Sequence, residues 1–279
     1  MKKENKKLLK SNLSSLVKKF SKSDVISDME KEYQTASAKL FKAELIDDNS
    51  YLKKAKISDS IISAISDSIK ETGLKSPLIL RAKKDHYELV LGRKRLLASK
   101  YGKVELVPAV VINLNDEEML LMLLADNRDQ RNPNVIETAL LCNELVMQFK
   151  YTRQTLADIT HQSRSQITNI MRLLNLPDSI IRDISVGKLS YGHAKAIASL
   201  PESVVLEVVG EVYSKHLSVR QIEQIVGRYK SSFGIASDEE NALSIKYHSL
   251  ANIKKRSVAF SFSNEEDKRL FVNALLDKE

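Results

Sequence analysis

Two short amphipathic segments between residues 152 and 176 give the clearest hydrophobic pattern in the chain. In the first segment, Leu156, Ala157 and Ile159 can face a core from one side of a helix. The polar residues Thr160-His161-Gln162 then interrupt the pattern and predict a turn. Two short helices joined by such a turn are typical of a helix-turn-helix.

The second segment begins at Ser163, which is placed to cap a helix. Its apolar positions recur at helical spacing and are Ile167, Ile170, Leu173 and Leu174. Its polar face consists of Ser163, Arg164, Ser165, Gln166, Thr168, Asn169 and Arg172. Because these side chains can donate to phosphates or contact base edges in a major groove, they predict a DNA-binding face. The alternative is an ordinary helical hairpin with a solvated polar face.

The pattern upstream of this region is mixed. It predicts a helix over Ile57–Lys70 and strands over Leu78–Arg81, Tyr87–Leu91 and Val107–Leu114. From Asp116 to Lys230 the pattern is helical. The breaks in it lie near Asn132-Pro133, Lys150, Leu176-Pro177, Gly187, Leu200-Pro201 and His216-Leu217. A small mixed α/β domain followed by an all-α domain is therefore expected.

The C-terminal residues predict a third, smaller unit. Residues 231–240 are polar and aperiodic, as in a linker. Strands are predicted over 243–250 and 256–262, and an amphipathic helix over 265–276. A β-β-α module of this size cannot bury a self-sufficient core, so we expect it to pair with a second copy in a homodimer. The predicted fold class is α+β and multidomain.

Charge is concentrated at the N-terminus. The chain of 279 residues has a net charge of +8, and residues 1–22 hold eight lysines against one acid, Glu4. The remainder has 36 basic and 35 acidic residues, so a nucleic-acid surface in the body must be local. Apolar residues at Leu9, Leu13 and Phe20 would let this tail form an amphipathic helix on a partner, while a solubilising disordered tail is the alternative.

The composition, 43% hydrophobic and 29% charged, is typical of a soluble globular protein. The longest apolar run, Met119–Ala125, has seven residues, too few to cross a bilayer. The N-terminus lacks the apolar core of a secretory signal, and Cys142 is the single cysteine. We therefore expect a cytoplasmic protein without a membrane partner, in which Cys142 is a buried small hydrophobe.

Candidate phosphate chemistry lies at Gly92-Arg93-Lys94-Arg95, where a predicted strand ends and a helix begins. Three successive cations beside the positive end of a helix are unfavourable without an anion, so the segment predicts a phosphate cradle. Arg95 is the first candidate for triphosphate contact, and a solvated basic helix start is the alternative. Asp126 and Asn127 offer oxygen ligands suited to Mg²⁺, although such residues also cap helices.

Several segments, in this order, make residues 45–227 similar to the ParB family of bacterial chromosome and plasmid partition proteins. The segments are Asn49–Lys54, Ser68–Leu78, Gly92–Arg95, Asp126-Asn127, Ser163–Ser165, Gly187–Lys195 and Leu217–Gln221. Leu217-Ser-Val-Arg-Gln221 matches the family's closing stretch almost letter for letter. Gly92-Arg-Lys-Arg95 stands in the place of its Gly-Glu-Arg-Arg box.

The resemblance implies a dimeric clamp on double-stranded DNA. The helix-turn-helix would bind a palindromic, centromere-like site, and the N-terminal domain would bind CTP, which closes the clamp until hydrolysis reopens it. The tail would contact a ParA-type ATPase. The C-terminal module would form the dimer contact, with some non-specific DNA affinity from Lys246, Lys254, Lys255 and Arg256. The protein would then be associated with the nucleoid.

The implied domains are a basic flexible tail over 1–40, a nucleotide-binding domain over 41–131, a helix-turn-helix domain over 132–230, a linker over 231–242 and a dimerisation module over 243–279. The nucleotide-binding residues would be Gly92, Arg93, Lys94, Arg95, Asp126 and Asn127, the last two also binding Mg²⁺. His193, in the Gly-His-Ala stretch, is either a core residue or a DNA phosphate contact.

The chain departs from the family pattern at catalytic positions. Arg93 replaces the acid after the glycine, Leu97 replaces the second downstream arginine and Asp129 replaces a glutamine. The alignment from Arg128 to Pro133 is ambiguous, so no role is carried over to Gln130 or Arg131. We therefore leave the catalytic residues unassigned and expect nucleotide binding with weak or absent CTPase turnover. The alternatives are a plasmid-type transcriptional regulator without a nucleotide switch and a nucleotide-dependent kinase or hydrolase.

Overall fold

The structure, a computed structural model, describes residues 38–232, 250–254, 257–262 and 265–276. The chain divides into two compact units, Met1–Tyr191 and Gly192–Glu279. The basic tail up to residue 37, the linker after Ser232 and residues 243–249 of the predicted first C-terminal strand lie outside the described residues. No helix in the described parts of the chain has the length and apolar character needed to cross a bilayer.

The first unit starts with a mixed α/β region. Its strands and helices are β1 (Lys39–Lys42), β2 (Ile46–Asp47), α1 (Asp59–Thr72), β3 (Leu78–Ala82), β4 (Tyr87–Leu91), α2 (Arg93–Tyr101), β5 (Leu106–Ile112) and α3 (Asp116–Asp129). The four elements predicted here are confirmed with shifts of one or two residues at their ends. Neither β1 nor β2 was expected, because strands of four and two residues carry no usable alternation.

The five strands form one sheet in the order β1-β5-β3-β4-β2. The central strand β3 runs parallel to β5 and antiparallel to β4. Leu78 and Leu80 pack into a core on one face with Leu96 of α2, while Ile79 packs into the core on the other face with α3. Because both faces of β3 are covered, its sequence is apolar throughout except for Arg81.

Helix α3 explains the longest apolar run of the sequence. All seven residues of Met119–Ala125 are buried, because α3 packs against the sheet residues Ile79 and Val90 on one side and against Leu141 on another. A helix that is apolar around its circumference belongs in a core. The helix is also held at its start by a capping box between Asn115 and Glu118.

The rest of the first unit is helical, as predicted. It contains α4 (Val135–Phe149), α5 (Arg153–Thr160), α6 (Arg164–Arg172) and α7 (Asp178–Ser185), and α8 (Tyr191–Ile197) begins at its last residue. Cys142 of α4 is fully buried, and burial raises the pKa of its thiol to about 12, which confirms it as a small hydrophobe.

Helices α5 and α6 form the predicted helix-turn-helix. Leu156, Ala157, Ile167 and Ile170 are buried as expected. The turn is shorter than predicted, because Thr160 still belongs to α5 and donates its hydroxyl to the Leu156 carbonyl. The chain reverses at His161, whose φ of 54° is in the left-handed region.

The second unit contains α9 (Glu202–Lys215), α10 (Val219–Ser232), the antiparallel hairpin of β6 (Leu250–Lys254) and β7 (Ser257–Ser261), and α11 (Glu265–Leu276). Strand β6 shares only Leu250 with the range predicted for the first strand, while α11 has the predicted bounds. Phe260, Phe262 and Phe271 pack against one another with ring centroids 4.5–6.5 Å apart and join β7 to α11. The β-β-α module and its role as a dimer contact stay a prediction.

Candidate functional site

The N-terminus of α2 is open to an anion. Gly92 precedes it with φ 101°, in the left-handed region, and no side chain caps the helix. The Leu96 N–H bonds to the Gly92 carbonyl, so the N–H groups of Arg93, Lys94 and Arg95 have no helical acceptor. There is no acid in the first turn. Such an end carries partial positive charge and suits a phosphate.

Gly92 is required by close packing as well as by its backbone conformation. A Cβ at this position would lie 2.7 Å from Leu78 Cδ2 and 3.0 Å from the Arg95 guanidinium. The strand β4, the glycine and α2 therefore form one tight turn against β3. A larger residue would displace the start of the helix.

The six residues predicted to bind nucleotide line one cavity of about 470 Å³. Gly92–Arg95 form one side of it, and Asp126 and Asn127 of α3 form another. Its apolar lining is contributed by Leu52, Ile57, Ile65, Val90, Leu91, Leu123 and Leu141. The cavity thus combines an anion-binding end with an apolar surface suited to a base or ribose.

Arg95 lies in this cavity, and no carboxylate of the described residues bonds to it. Its Nη1 donates to the carbonyls of Ser76 and Pro77, the latter at 3.0 Å. Among the described residues, no acceptor binds its Nε or Nη2. Burial lowers the Arg95 pKa, and the negative charge of Asp126 only partly opposes that effect. A guanidinium that is held in place but incompletely paired has the chemistry needed for a phosphate group.

Arg93 is engaged differently from the predicted role. Its Nε and Nη2 donate to the Asp48 carboxylate at 2.9–3.0 Å, and its Nη1 donates to Glu137 Oε1 at 3.0 Å. Burial acts to lower the Arg93 pKa, but its bonds to Asp48 and Glu137 outweigh that effect and raise it. Arg93 therefore joins the sheet region to α4, and its side chain is not available to a phosphate in this arrangement.

Lys94 begins a chain of hydrogen bonds across the cavity. Its Nζ donates to Gln130 Oε1 at 3.1 Å, and Gln130 Nε2 donates to Asp126 Oδ2 at 2.9 Å. Asp126 is exposed, so its carboxylate keeps capacity for a cation. Gln130 thus fixes the two predicted residues relative to one another.

Asn127 is buried, and its amide is used within the protein. Its Nδ2 donates to the Asn134 carbonyl and to Thr138 Oγ1, and its Oδ1 accepts from the Asn134 N–H at 3.0 Å. These bonds join α3 to the start of α4. The assignment of Asn127 as a magnesium ligand therefore stays a prediction that this geometry disfavours.

Metal chemistry in this cavity would depend on few protein ligands. Within the described residues, no group of three or more His, Cys, Asp or Glu side chains is placed to bind a metal ion. Mg²⁺ commonly uses one or two carboxylates together with substrate phosphates. Asp126 fits that mode, and a metal held by protein side chains alone does not.

Sequence reasoning missed several residues of this site. Gln130, Arg131, Asn132 and Glu137 also line the cavity, and Asp48 is the second partner of Arg93. The glutamate lies in the first turn of α4, where an acid is expected for the helix dipole alone. No local signal distinguished this glutamate from an ordinary helix-start acid.

The DNA-binding face predicted on α6 is accessible. Arg164, Ser165, Gln166 and Arg172 are exposed, and Thr168 and Asn169 are half-buried. Ser163 and Gln166 form a capping box: the Gln166 N–H donates to Ser163 Oγ, and the Ser163 N–H donates to Gln166 Oε1. Thr168 donates to the Arg164 carbonyl.

Two arginines are therefore the residues of this face best placed for DNA. The side chains of Gln166 and Thr168 already bond within the helix, whereas Arg164 and Arg172 have no ion pair among the described residues. His193 lies in the first turns of α8 and is half-buried. The role of His193 stays a prediction.

Two family models cover most of the chain. Residues 27–128 match the ParB N-terminal domain, and residues 131–231 match the ParB HTH domain. The first match contains both sides of the α2 cavity up to Asn127. The second contains the helix-turn-helix.

Curated relatives match over both regions. The chain is 31% identical over 224 residues to a probable chromosome-partitioning protein ParB of Campylobacter jejuni, covering 78% of this chain and 80% of that protein. It is 30% identical to the protein of the same description in Helicobacter pylori, over 65% of this chain and 63% of that protein.

Solved structures from Caulobacter crescentus are also similar. A C-terminally truncated chromosome-partitioning protein ParB complexed to the centromeric parS site matches with 27% identity and a TM-score of 0.41, over 68% of this chain and 99% of that one. The same protein complexed with CTP-gamma-S matches with 29% identity and a TM-score of 0.32, over 62% of this chain and 98% of that one.

Proposed function

Since the chain belongs to the ParB family, we propose that it is a sequence-specific partition protein for a chromosome or plasmid. In this function it binds a palindromic, centromere-like site on double-stranded DNA and acts as a nucleotide-gated dimeric clamp. The observation that carries the DNA-binding part is the exposed face of α6, with Arg164 and Arg172 on a helix that follows a tight turn. It would act in the cytoplasm, on the nucleoid.

Selection from random-sequence duplexes tests this part of the proposal. The full-length protein should enrich a palindrome, and its affinity for that duplex should fall steeply as salt increases. A scrambled duplex of the same composition is the control. Equal affinity for the selected and scrambled duplexes would contradict sequence-specific binding.

The nucleotide proposed for the cavity is CTP. The uncapped N–H groups of α2, together with Arg95, would hold the phosphates, and Lys94 would add charge beside them. Bound CTP supplies three phosphates and their charge to this end of the cavity. Asp126 would bind a Mg²⁺ ion shared with the phosphates.

Calorimetric titration with CTP and Mg²⁺ tests the nucleotide site. Lys94→Ala should weaken binding, because it removes a cavity cation and its link through Gln130 to Asp126. Lys84→Ala is the matched control, since it removes the same charge from an exposed position outside the cavity. Arg95→Ala should abolish the heat of binding. Equal affinity of both lysine variants would contradict this site.

A regulator without a nucleotide switch is the second candidate function. It is favoured by Arg93, which replaces the family's acid and is held between Asp48 and Glu137. Crosslinking of clamp closure with and without CTP separates the two candidates. Closure that depends on CTP supports the clamp, whereas identical crosslinking in both conditions supports the regulator.

The remaining partners follow from the same proposal. The β-β-α module would form the homodimer contact, and the basic tail would contact a ParA-type ATPase. Slow CTP hydrolysis or none is expected. Arg93, Leu97 and Asp129 stand where the family has an acid, an arginine and a glutamine. Phosphate release, measured under the conditions used for CTP binding, tests this expectation. Rapid, repeated release of phosphate by the CTP-bound protein would contradict it.

A further inference from the structure

The side chain of Arg128 connects α3 to the turn of the helix-turn-helix. Its Nη1 donates to the Ile159 carbonyl at 2.9 Å and lies 3.3 Å from His161 Nε2. Because a guanidinium only donates, Nε2 is the acceptor in this contact. The two receiving groups lie in the last turn of α5 and in the residue that ends it. Arg128 therefore holds the point at which the chain turns toward α6.

The guanidinium is itself held in a fixed orientation. Its Nε and Nη2 donate to the two carboxylate oxygens of Asp129 at 2.6 and 2.8 Å. The side chain is only 18% exposed. The hydrogen bonds that Arg128 donates to Asp129 raise the Arg128 pKa against the effect of burial, so the group stays charged. A bidentate pair of this kind fixes the plane of the guanidinium and thus the direction of Nη1.

The residues next to Arg128 in the same turn of α3 face the cavity. Asp126, Asn127 and Gln130 line the cavity, whereas the side chain of Arg128 contacts the end of α5. A displacement or rotation of this turn by an occupant of the cavity would also move the Arg128 guanidinium. The hydrogen bonds of Arg128 give this turn of α3 a direct physical connection to the end of α5, and such hydrogen-bond networks can carry coupling between two sites.

The receiving turn is constrained. His161 has φ 54° and ψ 36°, a conformation that non-glycine residues adopt at a cost. Ser163, two residues later, is the N-cap of α6. The position of His161 therefore sets where the recognition helix begins.

We propose that Arg128 is a positioning residue that couples occupancy of the α2 cavity to the presentation of α6, with His161 and the Ile159 carbonyl as its contacts. This inference rests on the proposed function, because it requires both a nucleotide and a DNA site. By thermodynamic linkage the coupling is reciprocal: DNA must change nucleotide affinity by the same factor as nucleotide changes DNA affinity.

The test compares coupling in Arg128→Leu, His161→Gly and wild-type full-length protein. The dissociation constant for the selected duplex is measured with and without CTP and Mg²⁺, and that for CTP with and without the duplex. Wild-type protein should show a coupling factor of about 5 to 150. Arg128→Leu should bring it close to one, and His161→Gly, which leaves the Arg128 bond to the Ile159 carbonyl, should lower it in part, while each ligand alone still binds. The matched control, Arg182→Leu, changes an exposed arginine of α7 and should keep the wild-type factor.

The two variants remove the contact from opposite sides. His161→Gly leaves Arg128 paired with Asp129 and relieves the left-handed backbone, so it remains informative if Arg128→Leu fails to fold. The double variant should match Arg128→Leu, because that substitution already removes the contact with His161. Arg128→Lys keeps the charge but cannot form the bidentate pair, so it should not restore coupling.

The outcomes separate the inference from the proposed function. A wild-type coupling factor in folded Arg128→Leu or His161→Gly overturns the inference alone. Absence of coupling in the wild type, with both ligands bound, also overturns the inference. Absence of CTP binding by the wild type overturns the nucleotide part of the proposed function together with the inference, and the CTP titration shows this without DNA.

Discussion

Helices α2 and α6 begin in opposite ways. The first turn of α2 follows Gly92, has no capping side chain and leaves its N–H groups open beside cationic residues. The first turn of α6 follows Ser163 and is closed by a reciprocal capping box with Gln166. The start of α2 therefore leaves backbone N–H groups for an external anion, whereas backbone N–H groups at the start of α6 are hydrogen-bonded by its own capping side chains.

This difference indicates two kinds of recognition in one chain. At α2 the backbone N–H groups make the site, so binding depends on the backbone conformation of Gly92 and on the residues packed around it. At α6 the backbone is already satisfied, so contacts to DNA must come from exposed side chains such as Arg164 and Arg172. Substitutions should then affect α2 through fold and packing, and α6 through individual contacts.

The largest expected effect concerns the strand that leads into Gly92. Glu88 of β4 is buried and bonds to Arg81 at 2.6–2.7 Å. Breaking a buried ion pair from one side typically costs about 3–5 kcal/mol. Glu88→Gln should lie near the lower end of that range, because Asp116 still pairs with Arg81. Urea unfolding at neutral pH measures the loss, with exposed Glu105→Gln as control.

Acid should affect the two helix starts unequally. Burial acts to raise the Glu88 pKa, but hydrogen bonding and charge from Arg81 lower it overall below the ordinary value of 4.5. A lowered folded-state pKa means that the stabilisation is present above 4.5 and is lost as pH falls through the folded pKa. The α6 cap uses a hydroxyl and an amide, which do not titrate there.

Hydrogen exchange as a function of pH measures this difference directly. Protection of β4 and α2 should fall before that of α6 as the solution is acidified. In Glu88→Gln the fall should be smaller, because the titrating group is gone. Parallel loss of protection in both regions of the wild type would contradict this difference.

A smaller effect on stability is expected from Gly92→Ala. The added Cβ would lie 2.7 Å from Leu78 Cδ2 at a φ of 101°. A non-glycine residue in an unfavourable backbone conformation costs about 1–3 kcal/mol. CTP binding should be lost as well, because the helix start is displaced. Gly187→Ala is the control, since its φ is 80° but a Cβ there would contact nothing within 4 Å. Nucleotide affinity unchanged in a folded Gly92→Ala protein would contradict the backbone site.

The sequence was sufficient for local features and insufficient for distant pairings. Ser163 and the apolar stripe at Ile167 and Ile170 predicted α6, because a cap and a helical period are encoded within a few residues. The strand-glycine-helix pattern likewise predicted the open start of α2. Arg93 was assigned to a phosphate, yet its partners Asp48 and Glu137 lie 45 and 44 residues away. Only the folded chain brings these charges together.

The same limit explains other omissions. Strand β1 is ordered by pairing with β5, which is more than sixty residues further along, and not by its own pattern. The contact of Arg128 with His161 spans 33 residues. The sequence alone did not distinguish the residues of the last turn of α3 that line the cavity from Arg128, which contacts α5. That distinction depends on how α3 packs in the folded chain.

Two substitutions on α6 test whether this helix acts through single contacts. If Arg164 contacts a base, Arg164→Ala should cost about 1–3 kcal/mol at one base-pair position and relax selectivity there. If Arg172 contacts a phosphate, Arg172→Ala should weaken all duplexes alike and lower the salt slope by about one. Binding to a panel of single-position duplex variants at several salt concentrations distinguishes these outcomes. Neither variant should change CTP affinity in the absence of DNA.

The smallest expected effect is that of Ser163→Ala. It removes the hydroxyl that accepts the Gln166 N–H at 3.1 Å, but Gln166 still accepts the Ser163 N–H at 2.8 Å. Loss of an N-cap costs about 0.5–2 kcal/mol. We expect the lower half of that range, because half of the capping box remains. Thermal unfolding measures the loss, and Ser163→Thr, which keeps a hydroxyl, is the control.

The direction of the DNA effect is the sharper part of this last prediction. If α6 recognises DNA with side chains, freeing one backbone N–H in Ser163→Ala should leave DNA affinity unchanged or slightly lower. If the start of α6 instead held a phosphate as α2 is proposed to do, the freed N–H would strengthen binding. A higher DNA affinity of Ser163→Ala would therefore remove the difference between the two helix ends, because both would then act as backbone anion sites.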